Sequence, residues 1–168
     1  IDPASGERRV LPLAQAAEGA FDGGTLVFTR QETNISNTRR YRGGTLQQLW
    51  RWSGGRDEAQ RLMPADSAGS RTPMPWQGRV YFVGDRSRDM NLWAVRPDGS
   101  DARQHTFHKG WDVLGAALSD GRIVYQLGAD LRVLDIVTNA DRLLSVRLAS
   151  DLDQTREQLS REPRQLPL

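Results

Sequence analysis

A polar stretch rich in arginine is the part of this sequence whose residue types most readily support chemistry. Residues 31–44 are almost devoid of apolar side chains, and Arg39, Arg40 and Arg42 surround Tyr41. Guanidinium groups offer a planar, bidentate donor fork and keep their charge at any relevant pH, so such a cluster can grip a carboxylate or a phosphate. The alternative is an exposed basic loop that only pairs with acidic neighbours, and surface pairs of that kind contribute little stability.

Two histidines are the other side chains that could take part in catalysis or metal binding. His105 and His108 lie at the end of a predicted strand and in the loop after it. The sequence has no serine in a strained Gly-x-Ser-x-Gly turn, so a Ser-His-Asp site has no recognisable nucleophile. The His-x-x-His spacing also lacks the helix or the third ligand that metal sites of this type usually have. We therefore expect no catalytic residue, no metal and no cofactor in this stretch.

A meander of short antiparallel strands must position these residues. The clearest example has strands at residues 80–83, 92–95 and about 102–106, with polar turn formers between them. The apolar positions in this stretch show no helical spacing. Similar strand pairs recur on both sides, at residues 25–29 with 49–52 and at residues 122–126 with 131–134. A meander that recurs about every forty residues is typical of a β-propeller, whose blades each contain four strands.

The repeat predicts an all-β fold: a β-propeller segment of about three four-stranded antiparallel blades plus the end of a fourth. The predicted partial propeller covers residues 1–148, with trailing strands in 1–14 and blades at about 17–63, 72–106 and 111–148. Residues 149–168 lose the strand alternation, and Asp151 or Asp153 could cap a short helix through Glu157. We interpret this last part as an exit segment toward a following domain.

The number of blades has consequences for the partners of this chain. Closed propellers typically have four to eight blades, and an open ring would expose unpaired sheet edges and an uncovered blade face. We therefore expect either a segment of a longer protein or two copies that complete one ring. A homo-oligomer is expected.

Composition and charge exclude several classes of partner. The formal net charge is only +2 and the arginines are spread along the chain, which argues against a nucleic-acid-binding stripe. No apolar run approaches the roughly 20 residues that a transmembrane helix needs, so no membrane partner is expected, and the first residues do not resemble a signal peptide. Cysteine is absent, which excludes disulfides and thiolate zinc sites but fits a reducing and an oxidising compartment equally.

The arginine stretch and the strand motifs resemble the amino-terminal, six-bladed propeller of tricorn proteases. The resemblance covers essentially the whole chain and is most specific over residues 37–45, Asn-Thr-Arg-Arg-Tyr-Arg-Gly-Gly-Thr, followed by Gln48-Leu49-Trp50. Further support comes from three other segments, at residues 79–86, 120–125 and 150–156. The individual blade motifs are less specific, since many propellers contain an Asp-Gly turn before an apolar strand.

What the resemblance implies is a non-catalytic part of a large cytoplasmic serine peptidase, a hydrolase whose active site lies in a carboxy-terminal half. The propeller would guide peptides to or from that site. Arg39 and Arg40 match the pair of adjacent arginines that holds the free carboxylate of the substrate in this family. The implied partners are peptide substrates, the remaining blades and the catalytic half of the parent chain.

Two alternatives remain open at this stage. One is a periplasmic type of propeller that binds a partner protein and has no peptidase activity. The other is a structural propeller that orders an assembly, in which case residues 31–44 would contact another subunit.

Overall fold

All regular secondary structure in the described part of the chain is β-strand. The computed structural model describes residues 5–8, 10–31, 40–55 and 58–147. Its twelve strands form three antiparallel sheets of four, each in sequential order. Blade 1 contains β1 (Ala16–Asp22), β2 (Thr25–Arg30), β3 (Leu49–Trp52) and β4 (Gln60–Arg61). Blade 2 contains β5 (Ser70–Trp76), β6 (Arg79–Gly84), β7 (Asn91–Val95) and β8 (Arg103–Gln104). Blade 3 contains β9 (Val113–Ser119), β10 (Arg122–Leu127), β11 (Asp130–Asp135) and β12 (Ala140–Leu143).

The core lies between the blades rather than within any one of them. Blade 1 packs on blade 2 through Val27 and Leu49 against Val80 and Phe82. The opposite face of blade 2 packs on blade 3, with Tyr81, Val83 and Leu92 against Val113, Ile123 and Tyr125 among others. Because blade 2 is covered on both sides, the run Val80–Val83 of its strand β6 is continuously apolar and buried. The predicted all-β propeller fold is confirmed.

Blades 1 and 2 repeat the same strand register. Phe28 pairs with Trp50 in blade 1, and Phe82 pairs with Trp93 at the equivalent position of blade 2. The two tryptophans are therefore equivalent residues of successive blades, and each is packed against a buried core cluster.

The first strand of blade 2 was not predicted. Pro73 and Pro75 lie in β5, and proline normally argues against a strand because it cannot donate to the ladder. Since β5 is an edge strand paired only with β6, and its register shifts between Arg71 and Met74, the missing donors leave the ladder intact. Trp76 is the last residue of this strand.

The segment before blade 1 covers an apolar sheet face. Among the predicted trailing strands in 1–14, the described residues 5–8 and 10–14 form no strand. Leu11 and Leu13 nevertheless pack against Leu26, Phe28 and Trp52, on the face of blade 1 that turns away from blade 2. The predicted exit segment at 149–168 lies outside the described residues. The described residues include no helix with the length and apolar character needed to cross a membrane.

Candidate functional site

The arginine stretch is the long connection between β2 and β3. Arg39 lies outside the described residues, and Arg40 is the first described residue after them. The backbone of Arg40 is left-handed, with φ at 57°, a conformation that is uncommon outside glycine. Strained backbone of this kind persists only where the surroundings hold it, and it is concentrated at functional sites.

Contacts with blade 2 hold the Arg40 side chain. Its Nε donates to the carbonyl oxygen of Arg88 at 3.2 Å, in the connection between β6 and β7. Its terminal nitrogen approaches the Asp89 carboxylate at 3.8 Å, which is longer than a hydrogen bond. The side chain is 40% exposed. A guanidinium has five N–H donors, so among the described contacts most of the hydrogen-bonding capacity of Arg40 is still available.

Arg42 is engaged much more firmly than Arg40. Its guanidinium lies 2.6 Å from the carboxylate of Asp85, which is only 4% exposed. The second oxygen of that carboxylate accepts the N–H of Gly69 at 2.7 Å, in the linker between blades 1 and 2. Arg42 therefore compensates a buried charge between two blades, which is a structural role.

Asp89 connects the arginine loop to the linker between blades 2 and 3. One carboxylate oxygen faces Arg40, and the other accepts the N–H of Gly110 at 2.9 Å. Asn91 holds the same linker, because its side-chain oxygen accepts from the His108 N–H at 2.8 Å and from the Thr106 hydroxyl at 3.0 Å. Sequence reasoning assigned Asp85 and Asp89 only to a polar turn, and their spacing gave no signal of a partner in another blade.

The two histidines have separate partners and do not form a common site. The His105 ring bonds Asn139 at 2.7 Å through Nδ1, whereas His108 Nε2 lies 2.8 Å from the Tyr125 hydroxyl. The metal site that the His-x-x-His spacing could have formed is not assembled. Within the described ranges no three His, Cys, Asp or Glu side chains are grouped as metal ligands would be.

A partly buried polar network connects His108 to blade 3. The Tyr125 hydroxyl donates to Asp141 at 2.7 Å, and Arg132 also bonds Asp141. The single hydroxyl proton is thereby used, so the proton between His108 and Tyr125 must be on His108 Nε2. Burial lowers the pKa of His108, more than the neighbouring Asp141 carboxylate raises it. Burial also raises the pKa of Tyr125, which keeps the hydroxyl protonated.

Exposed aromatic side chains lie in the linker next to this network. Phe107 and Trp111 are 68% and 66% exposed, and Lys109 between them is also exposed. One side of the Trp111 ring packs over Gly128, in the turn between β10 and β11. The sequence by itself indicated no function for Trp111, Phe107 or Lys109.

Blades packed face to face, with charged and aromatic connections gathered at the end where β2 passes into β3, define this chain as a segment of a β-propeller. The model of the tricorn protease N-terminal beta propeller domain matches residues 1–140. The chain therefore belongs to the tricorn protease N-terminal β-propeller family, as the sequence resemblance predicted.

Individual relatives agree with this assignment. Tricorn protease homolog 1 of Streptomyces coelicolor is 35% identical over 113 residues, which covers 66% of this chain and 10% of that protein. The tricorn protease homolog of Saccharolobus solfataricus is 28% identical over 147 residues, which covers 88% of this chain and 14% of that protein. A crystal structure of the tricorn protease superposes with a TM-score of 0.71 at 21% identity, over 80% of this chain and 13% of that one. The chain thus spans only a small part of the relatives that it matches.

Proposed function

We propose that this chain is the part of a tricorn-type serine peptidase propeller that guides peptides to or from the active site, and that Arg39 and Arg40 anchor the free carboxylate of the peptide. In this proposal the segment binds and positions peptides, while catalysis belongs to another part of the parent polypeptide. The selection is electrostatic: a chain terminus with a carboxylate binds the arginines, and an amidated terminus lacks that charge.

The state of the Arg40 side chain is the observation that carries the proposal. Its Nε is held by a backbone carbonyl of the next blade, which orients the guanidinium. Among the described residues, its terminal nitrogens have the 3.8 Å approach to Asp89 as their one ionic contact. An oriented, partly exposed guanidinium loses little further freedom when it accepts a ligand carboxylate, because its position is already set. Arg39 precedes it directly in the sequence and supplies a second cation.

A comparison of peptides with and without a free carboxylate tests the proposal. In the complete polypeptide, the double substitution Arg39→Ala and Arg40→Ala should weaken cleavage of short free-acid peptides and leave their amidated counterparts nearly unchanged. Arg40→Lys should recover only part of the loss, since an ammonium group cannot form the bidentate contact. Equal losses on acids and amides would count against the anchor.

Arg122→Ala is a matched control for that experiment. Arg122 is exposed, in a different blade, and its guanidinium lies 3.9 Å from Asp135, an approach as loose as that of Arg40 to Asp89. We expect its removal to change the ratio of acid to amide cleavage very little.

A structural function of the same loop is the second candidate, and the contacts of Arg42 favour it. The pair with Asp85 and the bond from Arg40 to Arg88 both connect blade 1 to blade 2. If fastening the blades is the whole role of the loop, Arg40→Ala should reduce hydrogen-exchange protection at the contact between blades 1 and 2. The ratio of acid to amide cleavage would then stay at its original value.

A further inference from the structure

The linker between blades 2 and 3 exposes an unusual set of side chains. Phe107, Lys109 and Trp111 are all exposed, whereas the intervening His108 is turned inward to Tyr125. Other exposed apolar residues, such as Leu114 and Val124, lie on the outer sheet face of blade 3, where no described blade covers them. Phe107 and Trp111 instead lie between two blades that are both present, so an uncovered blade face does not account for them. Contiguous exposed apolar surface marks binding sites, and these two aromatic residues of one linker are the candidate for such a surface.

Asp89 makes this aromatic linker a direct neighbour of the arginine loop. One oxygen of its carboxylate accepts the Gly110 N–H at 2.9 Å, and the other lies 3.8 Å from a terminal nitrogen of Arg40. Trp111 follows Gly110 immediately in the chain. The Asp89 carboxylate thus contacts the residue that directly precedes Trp111 and also faces the Arg40 guanidinium.

Several interactions fix the linker in this place. Asn91 bonds both the N–H and the carbonyl oxygen of His108, and Asp112 accepts the N–H of Met90. The Trp111 ring rests on the turn at Gly128. Because both ends of the linker are held and the ring has a support, the aromatic surface is organised before any ligand arrives, which lowers the entropic cost of binding.

We infer that Arg40, Trp111 and Phe107 form one subsite that accepts the terminal residue of a peptide whose last side chain is large and apolar. This inference rests on the proposed function and adds the class of peptide to it. The carboxylate and the side chain of a terminal residue are attached to the same Cα, so they can reach two neighbouring protein groups at once. The carboxylate contacts Arg40, and the side chain lies against Trp111 and Phe107. The exposed ammonium group of Lys109, the only lysine in the chain, adds attraction for the same negative charge.

Binding of four labelled peptides to the complete polypeptide tests the inference without depending on turnover. The peptides carry a fluorophore at the amino end and are identical except at the last residue, which is phenylalanine or glycine, each as the free acid and as the amide. Fluorescence anisotropy gives the four affinities. We expect the phenylalanine acid to bind most tightly, and Trp111→Ala to reduce its advantage over the glycine acid by roughly five- to tenfold, the size of a lost, partly buried aromatic contact.

Two further variants keep the result interpretable. Phe107→Ala removes an aromatic ring that is not stacked on another ring within the described residues, so it should lower the phenylalanine preference without loosening the turn at Gly128. Phe21→Ala is the matched control, because Phe21 is 62% exposed and lies in β1, next to the β1–β2 turn and away from the arginine loop. We expect the control to leave all four affinities unchanged.

The outcomes separate failure of the subsite from failure of the carboxylate anchor. If Arg40→Ala abolishes the preference for acids while Trp111→Ala and Phe107→Ala leave the phenylalanine preference intact, the subsite is refuted and the anchor stands. If the unaltered protein binds acids and amides equally, the anchor fails and the subsite fails with it. A phenylalanine preference that is the same for acids and amides also overturns the inference, because the surface would then recognise an internal side chain.

Discussion

The Arg42 guanidinium lies 2.6 Å from the carboxylate of Asp85, which is buried in the turn of the neighbouring blade. Blades 1 and 2 are thus connected by a charged pair with one buried partner, in addition to their apolar core. A buried charge that loses its partner is costly, whereas an exposed pair is nearly neutral. The same loop therefore contains one arginine with a structural role and another, Arg40, that has one hydrogen bond and one loose ionic approach among the described residues.

Removal of Arg42 should loosen the contact between blades 1 and 2. Arg42→Ala leaves the Asp85 carboxylate with the Gly69 N–H as its remaining described partner, and we expect a loss of about 1–2 kcal/mol in local stability. Hydrogen exchange of the strands β2 and β6 in the complete polypeptide measures it. Asp85→Asn combined with Arg42→Ala should recover part of the loss, because no uncompensated charge remains. If hydrogen-exchange protection of β2 and β6 is unchanged in Arg42→Ala, the structural role of Arg42 is contradicted.

Removal of one hydroxyl should destabilise blade 3. Tyr125→Phe preserves the ring but deletes the group that bridges His108 and Asp141, and we expect a cost of about 1–2 kcal/mol. The measurement is the hydrogen-exchange protection of β10 and β11. Tyr81→Phe, which alters a buried tyrosine with no described hydroxyl hydrogen bond, is the control and should cost less. Equal losses in the two variants would mean that the network contributes nothing specific.

Mild acid should weaken the contact between blades 2 and 3. Burial holds the pKa of His108 below its usual value of about 6.5, so the unfolded chain binds a proton more readily than the folded one. The stability that neutral His108 contributes is therefore fully present above pH about 6.5. That contribution is lost as the pH falls below this value and through the lower pKa of the folded state.

Protection factors at two pH values measure this effect, because they already divide out the intrinsic pH dependence of exchange. Protection in β9 and β10 should fall between pH 7.5 and 5.5, and His108→Gln should reduce that fall. His105→Gln retains His108 and should retain the pH dependence. If the protection of β9 and β10 falls by the same amount in His108→Gln, other titratable groups cause the pH dependence.

A single methyl group at Gly99 should disrupt the packing of blade 2 on blade 1. The φ angle of Gly99 is +84°, and a Cβ at this position would lie 1.8 Å from the carbonyl oxygen of Leu62. Gly99→Ala combines left-handed strain with a backbone clash, and we expect a loss of about 2–4 kcal/mol. The readout is the hydrogen-exchange protection of β4 and β7.

Gly78→Ala separates the two contributions in that prediction. Gly78 has a similar φ of +72°, but no heavy atom would lie within 4 Å of an added Cβ. The substitution Gly78→Ala should therefore lower stability only by the strain of the left-handed conformation, about 1 kcal/mol. Equal costs at the two glycines would show that the contact with Leu62 adjusts freely.

The sequence predicted the central strands of each blade well and the first strands poorly. Residues such as Val80–Val83 form continuous apolar runs because both sheet faces are buried, and this pattern is visible without a structure. The first strand of blade 2 contains Pro73 and Pro75, and the first strand of blade 3 contains Gly115. These residues weaken every local strand signal, and only the position of the strand at a sheet edge makes them acceptable.

The candidate site was only partly visible in the sequence. Arg40 stood out as one of a group of cations in a polar insertion, whereas Asp89 was indistinguishable from any turn-forming aspartate. No pattern in the sequence marked Trp111 as a candidate for ligand binding. Its exposure, and its nearness to Arg40 through Asp89, depend on contacts between different blades.

The sequence alone determined the β-propeller repeat, because strand alternation, turn residues and blade spacing are local properties that recur along the chain. The tricorn family followed from the resemblance of the arginine stretch and the blade motifs to that family. Tertiary structure decided which charges meet. Arg40 and Arg88 are 48 positions apart, and Arg42 and Asp85 are 43 positions apart. Such pairs form only when the blades pack face to face, and local propensity carries no information about them. For the same physical reason, the packing of the blades decided that Arg42 compensates a buried carboxylate, whereas Arg40 bonds the Arg88 carbonyl oxygen and stays partly exposed.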